Sequence, residues 1–247
     1  MNWQQPWIIG NWKMNGRRSS TAAFAQAWTT QRLPENVSTG IAAPLPYLLD
    51  LKYAVPALPV GAQDVSRFDK DGAFTGETSA TMLADLGAQF VLLGHSERRQ
   101  YFGENNETLS AKLDNALAAG LTPILCVGET LAQRQAEQEQ AVVAEQLSVL
   151  RGKSMPHIAV AYEPVWAIGT GQVASPEQIA EMHAFIYAEL LSFANKSANI
   201  RALYGGSVNA QNAQTILTLP NVDGALVGGA SLQADSFAAI VQAAAKQ

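Results

Sequence analysis

Short runs of Val, Ile, Leu and Ala recur along the chain, each followed by a longer stretch in which apolar positions return at helical spacing between polar ones. That alternation is the pattern of consecutive βα units, and eight can be counted. The predicted strands are Trp7 to Asn11, Ser38 to Ala43, Val60 to Gln63, Phe90 to Gly94, Thr122 to Val127, Ile158 to Tyr162, Ala202 to Tyr204 and Gly224 to Val227. Several are apolar on both faces, as parallel strands covered by helices are. Between them the spacing predicts helices over Thr21 to Gln31, Glu104 to Ala119, Leu131 to Leu150, Pro176 to Ser192, Ala210 to Leu217 and Ser236 to Ala245. Ser175-Pro176-Glu177-Gln178 combines an N-cap serine, a proline at the first helical position and a glutamine placed for a capping box. Gly120 follows Ala119 as a helix stop.

No Pro, Gly or Ser cluster is long enough to read as a linker, so residues 1–247 are expected to form one domain. Eight alternating units suit either a (β/α)8 barrel, eight parallel strands each followed by a helix, or a doubly wound open sheet; periodicity does not choose. The length of 247 residues matches a barrel in one domain, which commonly runs to about 250. At 48% apolar and 15% charged, the chain can bury a large core. A formal net charge of −5 gives no electrostatic footprint for nucleic acid or an anionic membrane, and no apolar run approaches the roughly 20 residues that span a bilayer. Cys126 stands alone, and the start Met1-Asn2-Trp3-Gln4-Gln5-Pro6 lacks the features of a signal peptide, so the expected compartment is the cytoplasm.

Candidate chemistry gathers at the predicted strand ends. The first strand runs into Gly10-Asn11-Trp12-Lys13-Met14-Asn15, where Lys13 could meet a phosphate or a developing oxyanion, or be a solvated surface lysine. After the fourth strand, Gly94-His95-Ser96-Glu97-Arg98-Arg99 puts a histidine on a strand-to-helix turn. A helix beginning there would aim free N–H groups at His95 and favour the neutral ring, which can donate to a substrate oxygen; the bland alternative is a capping or buried histidine. His157 and His183 have no ligand spacing to His95, so no metal is expected. The sixth strand leads into Glu163-Pro164-Val165-Trp166-Ala167-Ile168-Gly169-Thr170-Gly171. A carboxylate at the end of a buried strand is a candidate base, and the apolar stretch with its two glycines fits a lid that excludes water. A structural turn with a salt-bridged glutamate is the competing reading. The last two units supply Gly205-Gly206-Ser207 and Gly228-Gly229-Ala230, glycine turns of the kind that let backbone N–H groups approach an anion.

With these segments in view, the chain resembles the triosephosphate isomerase family from Trp7 nearly to its C terminus. The resemblance is carried, in the family's order, by Trp7-Ile8-Ile9-Gly10-Asn11-Trp12-Lys13, by Gly94 to Arg99, by Ala161 to Gly171, and by Tyr204-Gly205-Gly206-Ser207 and Val227-Gly228-Gly229-Ala230. It implies a cofactor-free barrel isomerase that interconverts D-glyceraldehyde 3-phosphate and dihydroxyacetone phosphate through an enediolate, in glycolysis and gluconeogenesis. On that likeness Glu163 is the base and His95 the neutral electrophile, an arrangement long used to illustrate tuned acid–base chemistry. Lys13 and Asn11 would steady the oxygens and bind substrate, and Gly169, Ser207, Gly228 and Gly229 would hold the phosphate. It also implies a homodimer in which the loop around Phe74 and Thr75 inserts into a neighbouring subunit near its Asn11 and His95.

Three residues stand outside that set. Glu97 suits a structural ion pair in an expected neighbourhood of Lys13, Arg98 and Arg99, and Cys126 suits packing. Gln172 sits at the lid's second hinge, where many relatives carry lysine. The rivals are a phosphate-binding barrel acting on a larger sugar phosphate, which would not predict Asn11, Lys13, His95 and Glu163 together, and a noncatalytic barrel, which would lack His95 or Glu163.

Overall fold

The computed structural model describes residues 1–153, 155–169, 172–193 and 198–245. Eight parallel strands close on themselves: β1 (Trp7–Asn11), β2 (Ser38–Ala42), β3 (Val60–Ala62), β4 (Phe90–Leu93), β5 (Thr122–Val127), β6 (His157–Tyr162), β7 (Asn199–Tyr204) and β8 (Gly224–Val227). Ile9 of β1 is paired with Gly40 of β2 on one side and Leu226 of β8 on the other, which closes the barrel and excludes the open sheet. Helices α1 (Arg18–Thr29), α2 (Leu45–Ala54), α3 (Ala80–Asp85), α4 (Ser96–Phe102), α5 (Asn106–Ala118), α6 (Leu131–Gln135), α7 (Glu139–Leu147), α8 (Pro176–Phe193), α9 (Ala213–Leu217) and α10 (Ala234–Ala244) lie between and after the strands.

The two-sided apolar strands divide the core into two layers. Trp7, Ile9, Phe90, Leu92, Ile124, Leu203 and Leu226 point inward and fill the barrel, while neighbours such as Ile8, Val91, Leu93 and Leu125 point outward against the helices. The interior is fitted around Phe90. A Cβ added at Gly61 would lie 2.3 Å from the Phe90 ring, so β3 has no side chain there because the ring of β4 occupies the space.

The predicted helix Leu131 to Leu150 is divided into α6, α7 and a short 3-10 turn at Ser148–Leu150. The break is at Glu137, whose φ of 55° turns the chain after Ala136. Strand β7 begins three residues before the predicted Ala202, because the polar Arg201 that interrupts its apolar run is engaged outside the barrel, 3.5 Å from Asp223. Helices α2 and α3 fall in stretches for which no helix is predicted; Ser79 caps α3 by accepting from the Met82 N–H.

Candidate active site

Every predicted site residue lies at the C-terminal end of the strands, where a barrel exposes its βα loops. Asn11, Lys13, His95, Glu163, Gly169, Ser207, Gly228 and Gly229 line one cavity of about 260 Å³. Asn11, His95 and Glu163 are almost fully buried, so their polar groups act in a poorly hydrated setting.

β6 ends at Tyr162, and the Glu163 N–H continues the ladder by donating to the Val127 carbonyl at 2.7 Å, which fixes the direction of the carboxylate. One oxygen, Oε2, accepts from the Ser96 N–H at 3.0 Å, and the other, Oε1, lies 3.1 Å from His95 Nε2. The Cys126 thiol is fully buried beside this carboxylate; burial first, then the Glu163 charge, pushes it well up, which leaves it a packing group.

His95 caps α4. Its Nδ1 accepts from the Glu97 N–H at 3.2 Å, and a main-chain N–H can only donate, so this nitrogen carries no proton. The Glu97 Oε2 atom lies 3.6 Å from the same Nδ1, too far for a competing hydrogen bond. The proton of the neutral ring is thereby assigned to Nε2, the atom that faces Glu163.

Lys13 has a backbone φ of 52°, a conformation costly for a residue with a side chain. Three contacts impose it: the Lys13 N–H donates to Asn11 Oδ1 at 2.9 Å, and Gln63 Nε2 donates to the Lys13 carbonyl at 2.9 Å and to the Ala42 carbonyl at 3.0 Å. Asn11 spends its oxygen on the backbone, which leaves its amide N–H groups to donate into the cavity. The Lys13 ammonium pairs with Glu97 at 2.7 Å. Arg98 and Arg99, expected around Glu97 as well, turn away from it. Arg98 pairs instead with Asp64 at 2.8 Å and Glu104 at 2.6 Å, because those carboxylates are more deeply buried and share Lys112 with it.

The predicted lid begins with a 3-10 turn at Val165–Ala167, reaches Gly169 at φ 67°, and passes through Thr170 and Gly171, which lie outside the described residues. Ser207 donates its hydroxyl to the Ala167 carbonyl at 2.7 Å, so in this arrangement it holds the lid segment rather than facing the cavity as a donor. Gly228 and Gly229 lead into a 3-10 turn at Gly229–Leu232; a Cβ at Gly229 would meet nothing, so its backbone stands open to the cavity.

Two residues that the sequence reading passed over support this site. Gln63 is predicted only as the end of the third strand, although an amide at the C-terminal end of a barrel strand was the available signal. Glu129 is fully buried and accepts from both Tyr162 Oη at 3.1 Å and Trp166 Nε1 at 2.8 Å, tying the lid's first hinge to the barrel. Burial pushes its carboxyl above the ordinary range despite those donors. A carboxylate two residues past the end of a strand was its signal in sequence. Among the described residues, no group of three or more His, Cys, Asp or Glu side chains is arranged to hold a metal ion, and no helix is long and apolar enough to cross a membrane.

Residues 6–244 match the family model described as triosephosphate isomerase. Among curated proteins, the chain is 56% identical to the triosephosphate isomerase of Neisseria meningitidis serogroup A over 98% of both chains. It is 50% identical to that of Paracidovorax citrulli, covering 96% of this chain and 98% of the relative, and 47% identical to that of Thiobacillus denitrificans, covering 97% and 98%.

Proposed function

Because this chain belongs to the triosephosphate isomerase family, whose reaction interconverts D-glyceraldehyde 3-phosphate and dihydroxyacetone phosphate, we propose that Glu163, His95, Lys13 and Asn11 carry out that reaction here. The observation that carries the assignment is the 3.1 Å approach of Glu163 Oε1 to His95 Nε2 inside one buried cavity. Glu163 takes a proton from one substrate carbon and returns it to the neighbouring one. The Nε2–H of His95 donates to the substrate carbonyl oxygen and moves protons between the oxygens of the enediolate. Lys13 and the amide of Asn11 stabilise the charge that develops on those oxygens, from positions already fixed by Gln63 and by the turn at Lys13. No cofactor enters the scheme.

The phosphate is assigned to the backbone around Gly169, Ser207, Gly228 and Gly229, supported by their place on the same cavity wall. The segment from Pro164 to Val173 is assigned as a lid that keeps water from the enediolate. We treat residues 1–247 as one catalytic domain and place the enzyme in the cytoplasm, on the family's glycolytic role.

The homodimer is part of the same proposal. A second cavity of about 380 Å³ opens beside the first and is lined by Asn11, Lys13, Gln63, His95, Glu97 and Phe102 among others. Met14, 97% exposed, and Phe102, 67% exposed, surround it, an apolar surface that a partner would cover. The segment assigned to cover it is the tip of the long loop from Gln63 to Ser79 of a second copy, the base of the same loop lining the cavity within this chain. Its Phe74 stacks on Phe68 with ring centroids 3.6 Å apart, making a compact tip next to Thr75.

A coupled assay of the purified, chelator-treated protein tests the reaction: glyceraldehyde 3-phosphate should be converted rapidly with nothing added. A folded protein that leaves this substrate unchanged removes the assignment. Sedimentation at micromolar concentration should give twice the chain mass, and a monomer removes the dimer.

A further inference from the structure

A third cavity, of about 410 Å³, opens between the ends of β4, β5 and β6 and is larger than the catalytic one. It shares Glu163 with that cavity, so the carboxylate is a partition between the two. Its cationic group is Arg99. The neighbouring Arg98 is neutralised twice, by Asp64 and Glu104, whereas among the described residues Arg99 forms no ion pair. Its Nε donates to the Gly94 carbonyl at 2.9 Å, Nη1 to Asn106 Oδ1 at 3.2 Å and Nη2 to the Cys126 carbonyl at 3.3 Å. Three of the five guanidinium N–H groups are thus engaged and two remain. Burial is the leading cause that lowers the guanidinium from its ordinary value, and it outweighs the opposing pull of nearby acids, Glu104 and Glu163 among them, none of which reaches ion-pair distance.

The rest of the wall narrows the ligand. Val127 and Val165 contribute apolar groups to the wall, along with Cys126. Gln133 accepts the Thr130 N–H and hydroxyl with its oxygen, which leaves its Nε2 to donate. Gln100 is exposed at the rim. A half-buried guanidinium matches the fork of a carboxylate, one further amide donor completes its oxygens, and the apolar faces suit a hydrocarbon body. A phosphate dianion would leave half its charge uncompensated here.

We propose that this cavity is a second ligand site, for a small organic monocarboxylate whose oxygens meet Arg99 and whose apolar body lies against Val127 and Val165, and that its occupancy acts on Glu163. The action follows from the partition. Glu163 is held between the Ser96 N–H and His95 Nε2, and a second anion beside Arg99 would repel its carboxylate and draw on the same cation, so ligand in this cavity and ligand in the catalytic cavity affect each other's binding reciprocally through Glu163.

The test uses benzoate, its neutral analogue benzamide, and saturating glycerol 3-phosphate to fill the catalytic cavity. Binding is read by calorimetry and by ligand-observed NMR, neither of which depends on turnover. Benzoate should bind with glycerol 3-phosphate present, and benzamide should bind about tenfold more weakly, as expected when a charge-assisted pair is lost. Gln100→Glu, a change on an exposed rim position, should weaken benzoate by about fivefold through repulsion at the mouth; Arg99→Lys should weaken it as well if it folds. In the isomerase assay benzoate should alter kcat as well as KM. Displacement of benzoate by glycerol 3-phosphate, equal binding of benzamide, an unchanged affinity in Gln100→Glu, or no saturable binding at millimolar benzoate would each overturn the proposal.

Discussion

Replacing Lys112 by methionine should cost this barrel more stability than any comparable surface change. Lys112 of α5 is 5% exposed, and its ammonium lies 2.5 Å from Glu104 and 2.6 Å from Asp64. Methionine keeps much of the stem and removes the charge, so what is lost is the compensation of two carboxylates. Removing one partner of a buried ion pair costs about 3–5 kcal/mol. The lower end applies, because Arg98 stays in contact with both acids, at 2.6 and 2.8 Å; we expect about 3 kcal/mol. For a chain of this size that lowers the melting midpoint by about 6–12 °C. Glu104 is held below the ordinary carboxylate range by its hydrogen bonds to Lys112 and Arg98, against the opposing effect of burial. Its contribution is therefore present above the unfolded-state pKa and lost as pH falls through the folded one, so the difference between Lys112→Met and the wild type should shrink in acid. Urea unfolding at pH 7.5 and at pH 4, followed by circular dichroism, measures both quantities. A loss below about 1 kcal/mol at pH 7.5, the range of an exposed pair, would refute the view that this cluster is a buried, interdependent unit.

Two further outcomes concern the frame. Gly61→Ala should destabilise by about 1–3 kcal/mol, because its Cβ would lie 2.3 Å from the Phe90 ring; pairing it with Phe90→Leu should recover part of that loss, and a neutral single change in urea unfolding would contradict the packing of the inner layer. His183 is wholly buried with Nδ1 2.8 Å from the Asn221 carbonyl, and burial lowers it from 6.5 to about 4. The unfolded chain takes up this proton as pH drops below 6.5 while the folded chain refuses it until about 4, so stability falls across that window, by about 3 kcal/mol in full. His183→Asn should flatten the acid side of the stability profile by that amount; an unchanged slope would remove the histidine as its source.

The barrel was legible from the chain because its strands are apolar on both faces and the connecting segments keep helical spacing, so β1, β5 and β8 begin and end where the pattern says. Legibility failed where tertiary contacts replace periodicity. Glu137 divides the helix expected over Leu131 to Leu150, a left-handed backbone that no hydrophobic spacing encodes. Arg201 hides the first half of β7, since a charged residue satisfied outside the barrel by Asp223 looks, in sequence, like the end of a strand. At the site, Asn11, Lys13, His95 and Glu163 stood out because polar residues at the ends of buried strands need a reason. Gln63 and Glu129 did not, because each acts through groups distant in sequence: Gln63 holds the Lys13 carbonyl, and Glu129 holds Trp166. The direction taken by Arg98 was likewise set by the depth of Asp64 and Glu104, which the local motif does not reveal.

Catalysis as proposed depends on Glu163 moving a proton between two substrate carbons beside His95. The most direct measurement is solvent exchange: dihydroxyacetone phosphate incubated in D2O with the wild type and with Glu163→Gln, deuterium at carbon followed by NMR, and substrate binding followed in parallel. The wild type should incorporate deuterium as it isomerises, while Glu163→Gln, still folded and still binding, should lose about a thousandfold or more of both rates, as expected when a positioned base is removed. Deuterium incorporation by that variant at a rate near the wild type's would contradict the assignment of Glu163 as the base.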